Sequence, residues 1–441
     1  MSAKIIRDPL YNYVSIDQSR DRWLVELLDS PEIQRLRRIH QLGVSYLTYP
    51  GADHNRLMHS LGVLHLMMQA YQRLREVLVD AQISRAREPL LAAALVHDVG
   101  HGPFSHVFET CLGIDHEVWS KRIILSEDSG IHKALKGVEP SLPKAVADLI
   151  DPDNHDHPSW QKHLLSSQLD VDRLDYLRRD SIVTGAGYGH FDWFRLINTL
   201  EIHEDGDSRR DLVWAEKSQL AIEEYIFSRY YMYQNVYLHK TTRGFEKMLE
   251  ALWRRARLLH EAGMDVDLVP VIRDFWAAAE PEVRQYLAIE EFTVLHQIQN
   301  WTDHDDPSLS DLARRFLGRR RFAMVESPDF EGDISPRYEE WESALKRIVE
   351  SKVEYSDSEM YCLRDELKAK YNEPYIPEKE GDEQSVENVI RIKIEGAPKP
   401  IEVSKLRPRL APLTQDPVAR RRYYLPKELQ AEAKKLRAEW T

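Results

Sequence analysis

The run Pro89-Leu90-Leu91-Ala92-Ala93-Ala94-Leu95-Val96 ends in His97-Asp98, and the chain then turns through Val99-Gly100-His101-Gly102-Pro103-Phe104-Ser105-His106. Apolar nearly all round, this run predicts a buried helix over 89–98, ended by Gly100, Gly102 and Pro103. Adjacent side chains on a helix diverge by about 100°. A His-Asp pair at the point where a buried helix gives way to a glycine-rich turn escapes that limit. Both groups can face one cavity while the core holds them rigidly.

Two other segments carry the same residue types. One is Asn55-Arg56-Leu57-Met58-His59-Ser60, and the other is Leu169-Asp170-Val171-Asp172-Arg173-Leu174-Asp175-Tyr176. His59, His97, Asp98 and Asp172 make a mixed nitrogen and oxygen set that binds one divalent ion and leaves positions open for water and phosphate. Such a set suits manganese, iron or zinc better than an all-oxygen magnesium or calcium site. Convergence of the four therefore predicts a metal-dependent phosphohydrolase. Asp172, Asp175, Tyr176, Arg179 and Asp180 share one helix face. The alternative for that stripe is a solvated salt-bridge face, but Leu169, Leu174 and Leu177 put a neighbouring face in the core. The polar face can then line a pocket. His101, His106 and the pair His116-Glu117 follow the doublet, and an imidazole near its ordinary pKa of about 6.5 can act as a general acid.

Hydrophobic spacing predicts further helices over 31–42, 57–78, 164–179, 217–239 and 245–260. Short strand-like runs at 199–202 and 212–214 flank a turn. Ile390, Ile392 and Ile394 alternate with Arg391 and Lys393, and Ile401-Glu402-Val403 returns as a hairpin whose edges can pair in an oligomer. His155-Asp156-His157 with His163 reads as a proline-flanked surface connector rather than a second metal site. Arg420-Arg421-Arg422-Tyr423-Tyr424 reads as a solvated stretch, and 426–440 as a short polar helix. The fold class is mainly α: a helical core over 1–260, and a smaller α+β region over 261–441 with an oligomerisation or regulatory role.

Composition narrows the classes. Apolar residues at 42% and charged residues at 30% fit a soluble globular protein. A net charge of −13 argues against a general nucleic-acid coat protein, though a local basic pocket for phosphate remains compatible with it. Cys111 and Cys362 have no CxxC spacing, so neither a disulfide framework nor a zinc ribbon is expected. The segment Met1 to Pro9 lacks the apolar core of a signal peptide. The longest apolar stretches fall short of the roughly 18 residues of a membrane span, so a cytoplasmic protein is expected.

The ordered set of motifs resembles the HD-domain deoxynucleoside triphosphate triphosphohydrolase family, which includes the SAM-and-HD-domain restriction factor and bacterial dNTPases. The resemblance runs over about residues 5 to 245. It is carried by Asp8-Pro9-Leu10-Tyr11, by Gln34 to Gly43, by Tyr49 to Arg56, by His59-Ser60-Leu61-Gly62-Val63, by His97 to His106, by Asp170 to Asp180 and by Tyr237-Leu238-His239-Lys240. It implies His59, His97, Asp98 and Asp172 as metal ligands, and His101, His106, His116 and Glu117 as catalytic histidines with a supporting acid. It implies Arg56, Arg173 and Arg229 at phosphates, Gln41, Leu42 and Tyr237 beside the sugar, and Tyr176 and Asp180 at the 3′-hydroxyl. Leu42 would crowd a 2′-hydroxyl. Asp29, Gln34 and Arg37 match an activator-nucleotide site of oligomeric members.

Three positions depart from the pattern. Arg173 stands where the restriction factor has lysine, Leu238 replaces a glutamine near the base, and Arg7 replaces an asparagine. No SAM domain is expected ahead of the HD region. The implied activity is hydrolysis of a dNTP to deoxynucleoside and inorganic triphosphate, with magnesium on the triphosphate, in a homodimer or homotetramer. Two other readings stay open. One is an HD-type nucleotidase or phosphodiesterase acting on other nucleotides or single-stranded nucleic acid, and the other is a non-catalytic nucleotide sensor.

Overall fold

A computed structural model describes residues 3–78, 80–112, 115–154, 157–205, 210–330, 336–352, 357–366, 374–378, 389–413 and 421–440. The apolar run forms the helix Arg87–Val96, and every side chain from Leu90 to Val96 is at most 1% exposed. It is enclosed by the helices Arg56–Val77 and Leu142–Ile150. The Arg56–Val77 helix starts where Asn55 accepts the N–H of Met58, and it crosses the helix Val171–Thr184. Side-chain capping of this kind satisfies backbone donors that a helix start leaves open. The helices Arg56–Val77, Arg87–Val96 and Val171–Thr184 present His59, the His97-Asp98 pair and Asp172 from different directions to one place.

Strands decorate the helical body. β1 (Ala3–Asp8) and β2 (Asn12–Asp17) form an antiparallel hairpin that turns at Asn12, where φ is 67°. β3 (Leu200–Glu204) and β4 (Arg210–Ala215) form a second hairpin. β5 (Phe322–Glu326) and β6 (Leu363–Glu366) lie in a C-terminal sheet, and β7 (Arg391–Lys393) and β8 (Ile401–Glu402) form the hairpin expected near residue 390. That hairpin does not leave both its edges open, because β7 pairs in parallel with β4 and completes the sheet β3-β4-β7-β8.

The stretch read as solvated, Arg420 to Tyr424, also differs, from Arg421 onward, and Arg420 lies outside the described residues. Residues Arg421–Pro426 form β9, the central strand between β5 and β6, with Tyr423 and Tyr424 fully buried. Adjacent residues of a strand point to opposite faces, so burial of both tyrosines means that both faces of the sheet are covered there, whatever the local charge. Its arginines find partners too: Arg421 lies over the Tyr338 ring at 4.0 Å, and Arg422 donates to the Leu238 carbonyl at 2.8 Å.

Three predicted helices are broken. The 31–42 helix is a short α-turn Pro31–Arg35 and a 3₁₀ turn Leu36–Arg38; Ile39 is then extended, and His40 bridges to Asn55. Pairing with the chain at Asn55 captures backbone groups that a longer helix would need. The 164–179 helix is split into Ser159–Leu165 and Val171–Thr184. The break comes from Asp170, whose two oxygens accept the N–H groups of Ser167 and Arg173, each at 2.7 Å. The 217–239 helix is regular over Gln219–Met232 and widens into a π-turn at Tyr233–Tyr237. Among the described residues, no helix is long and apolar enough to cross a membrane.

A candidate metal and phosphate site

The four candidate ligands converge. His59 Nε2 lies 2.8 Å from Asp172 Oδ1 and 3.8 Å from Asp98 Oδ2. His97 Nε2 lies 3.4 Å from Asp98 Oδ1 and 3.6 Å from Asp172 Oδ1. Both imidazoles are oriented from behind. Asp175 Oδ2 is 2.8 Å from His59 Nδ1, and the Ala94 carbonyl is 3.1 Å from His97 Nδ1. Such partners fix the tautomer and leave Nε2 for an ion. His97 Nε2 is buried and has no hydrogen-bond partner. An orphaned buried nitrogen facing two carboxylates costs stability unless something binds it, so the donor set fits a divalent ion.

The electrostatics agree. Burial disfavours the Asp98 carboxylate, yet Arg56, His97 and His101 hold its pKa well below the usual range. Burial likewise opposes ionised Asp172, and the His59 hydrogen bond, with the charge of the nearby His97 imidazole, overrides it. Burial alone would lower His59, but hydrogen bonds to Asp172 and Asp175 raise it to about 10. The pocket thus gathers negative charge around the two imidazoles.

Beside it lies a second array. The His101 and His116 rings stack at 3.8 Å. Glu109 Oε1 reaches His116 Nδ1 at 2.8 Å and His101 Nδ1 at 3.4 Å, and His101 Nε2 is 3.3 Å from Asp98. Gly100 permits this approach, since a Cβ there would sit 2.1 Å from the His116 carbonyl. Burial, with the charges of Arg56 and His116, lowers His101 to about 4. His116 is raised despite its burial, chiefly by its bond to Glu109. The acid drawn between the rings is therefore Glu109, whereas Glu117 is exposed on the first turn of the helix His116–Leu125. His106 begins the helix His106–Leu112, and its side chain lies outside the described residues.

Arg56 donates from Nη1 to Asp98 and from Nη2 to Ser105 Oγ at 2.7 Å. Asp180 accepts from Tyr237 Oη at 2.8 Å and stands 2.8 Å from His54 Nε2. Tyr176 meets the Tyr237 ring edge-on at 6.1 Å and takes a 3.2 Å hydrogen bond from Arg173. Gln41 and Leu42 are half-buried, and Gln41 Oε1 has no hydrogen-bond partner among the described residues. Arg229 donates to the Pro374 carbonyl at 2.9 Å. Asp29, Gln34 and Arg37 stand apart from this pocket in their bonding. Asp29 pairs with Lys4 at 3.1 Å, while Gln34 bonds Arg37 at 2.8 Å and the Leu28 carbonyl at 2.8 Å.

An HD domain matches residues 56–180, and an HD-associated region matches residues 191–270. The protein YwfO of Bacillus subtilis is 40% identical over 331 residues, which cover 73% of this chain and 72% of that protein. The chain belongs to the HD-domain phosphohydrolase family. Human deoxynucleoside triphosphate triphosphohydrolase SAMHD1 is 28% identical over 391 residues, covering 80% of this chain and 59% of that protein. The crystal structure of a phosphohydrolase from Bacteroides thetaiotaomicron is similar with a TM-score of 0.76 at 27% identity, covering 97% of this chain and 100% of that one.

Four side chains of this HD site carried no role in the sequence reading. Glu109 follows His106 by about one helical turn, and Asp175 lies on the face already marked by Asp172 and Asp180. Both positions were legible as spacing. His54 and Glu291 were not. Glu291 Oε1 accepts the N–H groups of His40 at 2.8 Å and Phe104 at 3.1 Å, and Oε2 bonds His40 Nδ1. It thereby secures a turn in which Phe104 and Ser105 both hold φ of 55°, a strained value for residues other than glycine. Ser105 is the residue that orients Arg56.

Proposed function

We propose that this chain hydrolyses deoxynucleoside triphosphates to deoxynucleoside and inorganic triphosphate. The observation that carries this reading is the cluster of Tyr176, Asp180 and Tyr237 on and beside the helix that supplies Asp172, joined by the Tyr237–Asp180 hydrogen bond. A 3′-hydroxyl can bond Asp180 there, with the carboxylate already fixed by His54 and Tyr237. Leu42 and Gln41 would stand beside the sugar, as the family resemblance implies. SAMHD1, whose name states this activity, supports it as a relative.

A divalent ion held by His59, His97, Asp98 and Asp172 would supply Lewis acidity and acidify water beside the α-phosphate. Arg56, Arg173 and Arg229 would hold the remaining phosphate charge, with magnesium on the triphosphate. Water oxygen bonds to the α-phosphorus, the bond from phosphorus to the 5′-oxygen breaks, and the electron pair stays on that oxygen. A proton from His106, or from the array of His101, Glu109 and His116, neutralises the leaving alkoxide. Residues 261–441 would serve oligomerisation or regulation, and the Asp29, Gln34 and Arg37 face would hold an activating nucleotide.

The test is incubation of the purified chain with each of the four dNTPs and manganese, iron or zinc, with the products resolved by ion exchange. Intact triphosphate is expected. Diphosphate or single phosphate would point to another nucleotidase, and tight binding without turnover to a sensor.

Leu42→Ala is expected to reduce the preference for dNTP over NTP by roughly tenfold or more, the scale of one steric contact. Equal selectivity in mutant and parent would remove Leu42 from the sugar pocket. Glu291→Gln keeps the shape but weakens charge-assisted bonds to the Phe104 turn, each worth about 1.5–3 kcal/mol. A fall in kcat/KM of about tenfold is expected, since 1.4 kcal/mol is tenfold. Parent-like kinetics would show that the turn holds itself.

A further inference from the structure

His59 does not end its contacts at Asp175. Arg179 donates from Nε to Asp175 Oδ2 at 2.8 Å and from Nη2 to Asp175 Oδ1 at 2.9 Å. Its third nitrogen, Nη1, donates to Asp8 Oδ2 at 2.9 Å. Asp8 closes β1, and its other oxygen accepts the N–H groups of Leu10 at 2.8 Å and Tyr11 at 3.0 Å, which shapes the hairpin turn. His59, Asp175 and Arg179 are at most 1% exposed, and Asp8 is 7% exposed. One unbroken polar chain therefore joins a candidate metal ligand to the N-terminal hairpin through the interior.

The surrounding sequence makes room for this chain. Gly62 lies one turn after His59 on the same helix. A Cβ at Gly62 would fall 1.9 Å from Asp175 Oδ1 and 2.4 Å from Arg179 Nη2. A glycine inside a helix lowers helix stability by roughly 0.5–1 kcal/mol relative to alanine. Here it is what admits the carboxylate–guanidinium pair. A buried ion pair is a weak source of stability in itself, because desolvation offsets attraction. Partners behind a metal-ligating histidine, in contrast, have a direct effect on the ion, commonly 10–100-fold in affinity.

We propose that the N-terminal hairpin is a working part of the metal centre: Asp8, through Arg179 and Asp175, positions His59, and the seating of the hairpin sets affinity for the ion. This rests on reading His59, His97, Asp98 and Asp172 as ligands of one divalent ion. Asp175, Arg179 and Asp8 are then positioning residues at increasing distance. The same hairpin carries Lys4, which pairs with Asp29, so a change in its seating at the surface has a bonded route to the ligand.

The test is Mn²⁺ binding to the full chain after chelator stripping, with free Mn²⁺ read by its electron paramagnetic resonance signal and folding checked by circular dichroism. Asp8→Asn keeps size and the acceptor for the turn but removes the charge facing Arg179. The expected result is a 3- to 10-fold rise in Kd for Mn²⁺, with a larger rise for Asp175→Asn. The Asp8→Asn effect should vanish in the Asp175→Asn background, because the route is cut there. A merely structural role would lower stability and leave Kd unmoved. Arg179→Lys, which cannot span both carboxylates, gives the same test if Asp8→Asn does not fold. Folded variants that bind Mn²⁺ like the parent, or an undiminished Asp8→Asn effect in the double variant, overturn the proposal. A parent chain that takes up no Mn²⁺ overturns the metal reading beneath it.

Discussion

His97→Ala is expected to lower phosphohydrolysis by on the order of 10³-fold or more while leaving the fold intact. The rate loss follows from the ligand count. Three remaining groups hold the ion loosely, and misplacing a Lewis acid that contributes several kcal/mol costs tenfold in rate for each 1.4 kcal/mol. The preserved fold follows from the bonding of His97. Its Nδ1 bonds only the Ala94 carbonyl within its own helix turn. Its Nε2 is a buried nitrogen without a hydrogen bond, so truncation removes an unsatisfied group along with some packing. The paired measurement is metal content and turnover against the urea midpoint. Loss of turnover together with collapse of the midpoint would make His97 a core residue, and retained turnover would remove it from the metal set.

Arg179→Met should have the opposite signature, with stability falling first. The guanidinium is the shared partner of two buried carboxylates, Asp175 and Asp8. Methionine fills much of the volume but leaves both acids without their cation. Breaking a buried pair from one side costs about 3–5 kcal/mol, a large part of a typical net stability of about 5–15 kcal/mol. Urea unfolding followed by circular dichroism reads this directly. A variant within about 1 kcal/mol of the parent would mean that the acids are neutral or solvated, against their burial. Replacing Asp8 and Asp175 by asparagine in the Arg179→Met background should recover part of the loss, since the stranded charges are then gone.

Much of the candidate metal site could be read from the chain because its parts sit at the ends of strongly patterned helices. The apolar run before His97-Asp98 announced both a buried helix and its abrupt end. The face shared by Asp172, Asp175, Tyr176 and Asp180 announced the polar cluster that meets His59, His54 and Tyr237. Errors fell where a polar side chain outbid local periodicity. Asp170 cut one predicted helix by taking two backbone N–H groups, and the pairing of His40 with Asn55 cut another. The charged run at Arg421 was misread because burial of Tyr423 and Tyr424 depends on β5 and β6, which arrive from elsewhere in the chain.

The amino-acid order by itself determined which residue types could grip a divalent ion, which helices would bury their apolar faces, and that the body would be mainly helical. Those properties repeat at short range, through side-chain spacing and capping. Only the tertiary structure decided that Glu109 rather than Glu117 stands between His101 and His116. It alone decided that Glu291 steadies the turn behind Arg56, and that Asp8 reaches His59 through two intermediaries. A buried charge must be matched by whatever partner the packing brings within about 3 Å, and sequence distance places no limit on where that partner comes from.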